Sequence, residues 1–208
     1  QGAETGLTVK NISSGLDIDL YAPTGNLRAR GSAIATGRLT AETEGTGDIA
    51  MESGALFQAV SGDIFVGADD VGLGRLDAAR AVVVNARGAM TNNNTDAAQV
   101  NAAGRSVTLT AIGSIGTAAQ SVDVLPKEVT RLVATSRDGN AYLSANSGNL
   151  RLSQVVAKGT AALSSASVGL GFSGTWLAAS LAALASAIAA LRAALFSRAA
   201  ASFASRAA

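Results

Sequence analysis

Gly25-Asn26-Leu27-Arg28-Ala29-Arg30, Gly37-Arg38-Leu39-Thr40-Ala41-Glu42, Gly47-Asp48-Ile49-Ala50-Met51-Glu52 and Gly62-Asp63-Ile64-Phe65-Val66-Gly67 follow one another between residues 25 and 67. Each unit opens on a turn glycine, continues with a polar residue and an aliphatic one, then alternates outward polar with inward small or apolar side chains. Alternation of period two is the mark of a half-buried strand. Strand starts fall at Leu16, Leu27, Leu39, Ile49 and Ile64, separated by 11, 12, 10 and 15 residues. Strands this close leave no room for crossover helices.

Two architectures can be built on such spacing. An antiparallel sandwich or barrel calls for hairpin signals and for aromatic and β-branched cross-strand partners. A β-solenoid calls for the same strand and the same turn repeated, because each coil stacks on its copy. The near-identity of the four units favours the solenoid. Upstream, Leu7–Ile12 and Leu16-Asp17-Ile18-Asp19-Leu20 read as further strands. Downstream, Val71–Leu76 reads as turn-rich and Ala81–Ala86 as a buried strand. Met90–Asp96 reads as a polar loop leaving the coil. Regular strands resume at Ser106–Ala111.

Composition narrows the chemistry. The chain of 208 residues contains no cysteine and no histidine. That removes disulfides, thiolate metal sites, the commonest general base and the pH switch. Aromatics are sparse and Gly, Ala, Ser and Thr abundant, which suits a thin, regularly stacked interior. Residues 1–138 hold 11 bases against 15 acids, a net of −4, while residues 139–208 hold five bases and no acid. Those five (Arg151, Lys158, Arg192, Arg198 and Arg206) are scattered and lack interleaved aromatics, so nucleic acid is not an expected partner. The chain opens at Gln1 with no basic segment ahead of an apolar one. It is expected to be a portion of something longer, without a signal peptide.

One succession resembles a known family. Leu109-Thr110-Ala111-Ile112-Gly113-Ser114-Ile115-Gly116-Thr117 is followed by a spacer holding Val122-Asp123-Val124, then Leu132-Val133-Ala134-Thr135. Gly139-Asn140-Ala141-Tyr142-Leu143-Ser144 and Gly148-Asn149-Leu150-Arg151-Leu152 come after it. The order is similar to the repeat region of large bacterial exoproteins of the filamentous haemagglutinin type, exported by two-partner secretion. It covers residues 100–155, and the glycine ladder extends it back to residue 16. The resemblance implies a right-handed parallel β-helix, secreted or at the cell surface of a Gram-negative bacterium, serving in adhesion or as the stalk of a larger effector. It implies an outer-membrane transporter as partner during export, and host or bacterial surface glycans or proteins as targets. The secretion domain of such proteins is not visible in this stretch.

From Thr175 onward neither glycine nor proline occurs, and Leu177, Leu181, Leu184, Ile188, Leu191 and Leu195 are spaced four, three, four, three, four. This predicts an α-helix with an apolar seam. The expected division is therefore a β-helix over 1–172 and an Ala/Leu-rich helical segment over 173–208. Covering an end or flank of the solenoid, where strand edges are exposed, is the favoured role. Self-association through the seam and membrane insertion are the other two. Insertion is disfavoured because Arg192 falls before about 20 apolar residues have accumulated from Trp176.

No residue stands out as catalytic, cofactor-binding or metal-ligating. Gly72-Leu73-Gly74 lacks the Lys-Ser/Thr of a phosphate loop. Asp63, Asp69, Asp70 and Asp77 lack the spacing of the nonapeptide calcium repeat. Asp17 and Asp19 share one face of one strand, a pairing that glycoside chemistry can use, but they flank inward aliphatics as an ordinary wet face does. Arg28 and Arg30 face outward near Glu42, Glu44 and Glu52, where charge ladders between coils are expected. The loop residues Asn92, Asn93, Asn94 and Asp96 are the candidate binding site. The expected function is a non-enzymatic adhesin or rigid stalk, with a carbohydrate-active β-helix enzyme as the alternative.

Overall fold

The computed structural model describes residues 6–96, 99–145 and 151–165. The helix expected over 173–208 lies outside the described residues. Among the described residues sixteen strands follow in chain order: β1 (Gly6–Ser14), β2 (Ile18–Ala22), β3 (Asn26–Ala35), β4 (Leu39–Thr43), β5 (Ile49–Met51), β6 (Leu56–Ala59), β7 (Ile64–Ala68) and β8 (Val71–Leu73). Then come β9 (Arg75–Ala78), β10 (Ala81–Ala86), β11 (Met90–Asn92), β12 (Ala102–Ala111), β13 (Val122–Ser136), β14 (Ala141–Ala145), β15 (Arg151–Ala157) and β16 (Ala161–Ser165).

Every strand pairing is parallel, and each strand pairs with its equivalent one coil away. The chain is a β-solenoid of about 7 turns. Leu7, Leu27, Ile49, Val71, Met90, Ile115, Ala141 and Ala161 occupy one register position, so successive coils advance by 20, 22, 22, 19, 25, 26 and 20 residues.

Each coil presents three faces. The first stacks the leading halves of β1 and β3 with β5, β8 and β11. The second stacks the trailing halves of β1 and β3 with β6, β9 and the start of β12. The third stacks β2, β4, β7, β10, the rest of β12 and of β13, and β15. Parallel in-register stacking places like residues above one another, so the interior is a set of columns. Ile18, Leu39, Ile64, Val82, Val107, Leu132 and Leu152 form one, each at most 5% exposed. Full burial of such a side chain is worth about 1.5–3 kcal/mol. Phe57, fully buried between Ala33 and Leu76, fills the second face where its neighbour is small.

The corners explain the glycine-polar-aliphatic phrase. Asn26 Oδ1 accepts the Asp48 N–H at 2.9 Å, Asp48 Oδ1 accepts the Asp70 N–H at 3.1 Å, and Asp70 Oδ1 accepts the Ala89 N–H at 2.6 Å. The ladder resumes from Ser114 Oγ to the Asn140 N–H at 3.0 Å, and from Asn140 Oδ1 to the Thr160 N–H at 2.7 Å. A second corner repeats the device: Asp17 Oδ1 accepts the Arg38 N–H at 2.7 Å and Asp63 Oδ1 the Ala81 N–H at 2.9 Å. Backbone donors that the corner takes out of the sheet thus find side-chain acceptors. The glycines serve two needs. Gly25 has φ of 78°, a conformation other residues enter at a cost. At Gly62 a Cβ would lie 2.4 Å from the Gly37 carbonyl oxygen one coil below.

Two expectations are corrected in detail, and one strand comes in addition to those expected. Val71–Leu76 is two strands, β8 and β9, with Val71, Leu73 and Leu76 buried. Its glycines suggested turns, but Gly72 sits on the outward side of β8. Leu56–Ala59 is also a strand, whose Gln58 and half-exposed Leu56 blurred the alternation. The loop begins later than Met90, since Met90–Asn92 is β11 and Met90 is fully buried.

Candidate functional site

After β11 the chain does not turn directly onto the second face. It makes an excursion that folds back along the first face toward earlier coils. The Asn93 side chain lies over Gly72, where a Cβ would come within 2.2 Å of its amide nitrogen. That nitrogen donates to the Met51 carbonyl at 3.0 Å, two coils back. The Thr95 N–H donates to Ser53 Oγ at 3.1 Å, and the two hydroxyls lie 3.0 Å apart.

The proposed loop residues therefore divide. Asn92 donates to the Ser121 carbonyl at 2.9 Å and accepts the Asn94 N–H at 2.9 Å. Asn94 is buried and donates to the Gly74 carbonyl at 3.1 Å, and the Asn94 carbonyl accepts from Gln120 Nε2 at 2.8 Å. Asp96 is exposed, and its carbonyl accepts the Gln99 N–H at 3.0 Å. The side-chain amides of Asn92, Asn93 and Asn94 tie coils together, and Asn93 also shapes the surface. Asn101, which sequence reading passed over, closes the excursion. Fully buried, it donates to the Leu73 and Gly74 carbonyls at 3.1 and 3.0 Å and to Asn92 Oδ1 at 2.8 Å, and accepts the Asp123 N–H at 2.8 Å. A lone polar residue between a loop and an alanine run gave no pattern to find it by.

The returning excursion walls a groove of about 930 Å³ on the first face. Its floor is the outward column Thr8, Arg28 and Ala50, aligned by the sheet register, and its wall is Ser53, Asn93, Thr95 and Gln120. Glu52 Oε1 accepts from Arg28 Nε and from Arg30 Nε, both at 3.0 Å. This is the expected inter-coil charge contact, and with side chains 41–45% exposed each pair is worth about 1 kcal/mol or less. Glu44, by contrast, accepts from the Tyr21 hydroxyl. That hydrogen bond raises the Tyr21 pKa, aided by desolvation and by the charges of Glu44 and Glu42.

Other acidic groups are held elsewhere. Arg38 Nη2 lies 4.0 Å from Asp17 and 3.8 Å from Asp19, all three exposed. Asp70 belongs to the corner ladder, and Asp69 faces Arg87 at 3.8 Å. Among the described residues no group of three or more acidic side chains gathers in a metal-binding arrangement. Among the described lining residues Glu52 is the groove's only carboxylate, so the groove holds no acid–base pair of carboxyl groups. What it offers is an open trough in which the Arg28 guanidinium meets the Glu52 carboxylate, while Arg30, which also reaches Glu52, stands outside the lining.

The fold defines the class: a parallel β-solenoid with three faces and a polar trough on the first. No family model, curated protein or solved structure matches the chain.

Proposed function

We propose that the chain is a non-enzymatic segment of a secreted bacterial surface exoprotein of the filamentous haemagglutinin type, acting as adhesin or rigid stalk. Its targets are surface glycans or proteins, and an outer-membrane transporter serves its export from a Gram-negative cell. The right-handed sense of the winding belongs to the same proposal.

The supporting observation is where the polar side chains go. Corner Asn, Asp and Ser residues, and the amides of Asn92, Asn93, Asn94 and Asn101, hydrogen-bond backbone groups of neighbouring coils. Polar chemistry spent on holding coils in register suits a stiff rod with a long repetitive surface. The alternative, a carbohydrate-active enzyme, draws on Arg28 and Glu52 meeting across adjacent coils in one groove. Against it, that carboxylate already accepts from two guanidiniums.

Beads coated with the chain test the reading on surfaces bearing host-cell glycans and proteins. Adhesion with no release of oligosaccharide products supports it. Product release from acidic polysaccharides, abolished by Glu52→Gln or by Asp17→Asn with Asp19→Asn, would replace it with the enzyme.

A further inference from the structure

We propose that the groove is a binding site for a carboxylate-bearing oligosaccharide, with Arg28 of the lining and Arg30, next to it on the same strand but outside the lining, taking the carboxylate and Glu52 positioning both guanidiniums. The inference deepens the adhesin reading and rests on it.

The geometry of the three charged groups is the starting point. Arg28 and Arg30 are two residues apart on β3, so both point outward on one face. Each uses only Nε on Glu52. Among the described residues neither guanidinium makes a hydrogen bond through its Nη atoms. Arginine binds a carboxylate best through a planar, two-pronged fork, and Nη atoms are what such a fork needs. Glu52, by holding both Nε atoms, sets the planes of the two guanidiniums before a ligand arrives and leaves the trio with a charge of +1. A carboxylate is thereby attracted, and a second cation is not.

The floor selects against a peptide strand. β3 is paired on both sides, to β1 and to β5, and β5 in turn to β8. Strand addition is thus closed to a ligand along β3 and β5, while β1 at the groove's outer side pairs with β3 alone among the described residues. The groove presents hydroxyls and an amide instead: Thr8, Ser53, Thr95 and the side-chain nitrogen of Asn26, whose oxygen is committed to Asp48. Hydroxyl-rich sugar rings match that lining. The floor crosses three strands, roughly 10 Å between the outer two, and its volume falls within the range of small-ligand sites. Small side chains keep it open: Ala50 is exposed on the floor, and Gly72 beside it lets Asn93 lie flat as the wall.

The test uses the full chain and calorimetry with two carboxylated probes, a hexamer of galacturonic acid (internal carboxylates) and a sialylated trisaccharide (a terminal one). Each is paired with its carboxyl-reduced, neutral counterpart. The expected result is binding of at least one carboxylated probe, weakened on the order of tenfold or more by carboxyl reduction and weakened by added salt. Arg28→Gln is expected to lose a similar factor with unchanged thermal unfolding. Ala50→Phe, which fills the floor and leaves the charges in place, is expected to lose binding as well. Equal binding of the reduced probe, no binding of either probe, or full affinity in both variants would overturn the site while leaving the adhesin reading intact. Cleavage of a bound probe would overturn the non-enzymatic reading while leaving the site.

Discussion

Replacing Asn101 by alanine removes the residue on which three coils converge. The Asp123 N–H loses the acceptor it has in the Asn101 oxygen, while the Leu73 and Gly74 carbonyls keep the Asn93 N–H and the Asn94 amide respectively. Loss of that hydrogen bond at a buried backbone donor costs about 1–3 kcal/mol. The void left by a fully buried amide adds a further amount on the order of 1 kcal/mol. The expected loss is therefore about 2–4 kcal/mol, a large share of the 5–15 kcal/mol typical of a domain. Urea titration followed by circular dichroism reads it as a midpoint lowered by about 1–2 M. Asn101→Asp keeps the acceptor but buries a charge and removes two donors, so it is expected to be no better. A shift below about 0.5 kcal/mol in Asn101→Ala would refute the view that this side chain locks the excursion to the stack.

Two other perturbations have defined outcomes. Gly72→Ala places a Cβ 2.2 Å from the Asn93 amide nitrogen and pushes it off the Met51 carbonyl. The expected cost is about 1 kcal/mol, one net hydrogen bond, and faster proteolysis of the excursion, with the coils themselves unchanged by circular dichroism. At the exposed pair of Asp138 and Lys158, 2.8 Å apart, the hydrogen bond and the lysine charge hold the Asp138 carboxyl below its usual value and the Lys158 ammonium above its own. The carboxylate's contribution to stability is present above the ordinary carboxylate range and lost as pH falls through the lowered Asp138 pKa. The ammonium's contribution is lost as pH rises through the raised Lys158 pKa. Lys158→Met is expected to return the Asp138 titration upward in an NMR pH series, and an unchanged titration would dismiss the contact.

Most of the scaffold was legible because stacking repeats a short phrase. Leu27, Leu39, Ile49 and Ile64 announce strands through period-two alternation behind glycine, and those strands stand where expected. The short strands β6, β8 and β9 were harder to read, since three or four residues carry little periodicity. The coil itself, rather than the strand, was the hidden unit. Charge contacts of Arg28 and Arg30 with Glu42, Glu44 or Glu52 were expected, but only the register, which advances by 22 residues here, singles out Glu52. The site was half legible. Runs of Asn at 92–94 marked an unusual loop, but Asn101 and Gln120 are joined to it only through space, and no local pattern announces such a contact.

In-register parallel stacking of coils is the claim on which the columns, the corner ladders and the groove all depend. Asp19, Thr40 and Phe65 occupy one outward column on three successive coils. The chain has no cysteine, so pairs introduced there report without background. Adjacent coils bring Cα atoms to about 4.8 Å, within disulfide reach, whereas two coils separate them by roughly 9.6 Å, beyond it. Oxidation of the folded chain, read by free-thiol labelling, is predicted to link Asp19→Cys with Thr40→Cys and Thr40→Cys with Phe65→Cys, and to leave Asp19→Cys with Phe65→Cys reduced. Linkage of the outer pair, or failure of both adjacent pairs, would contradict the stack.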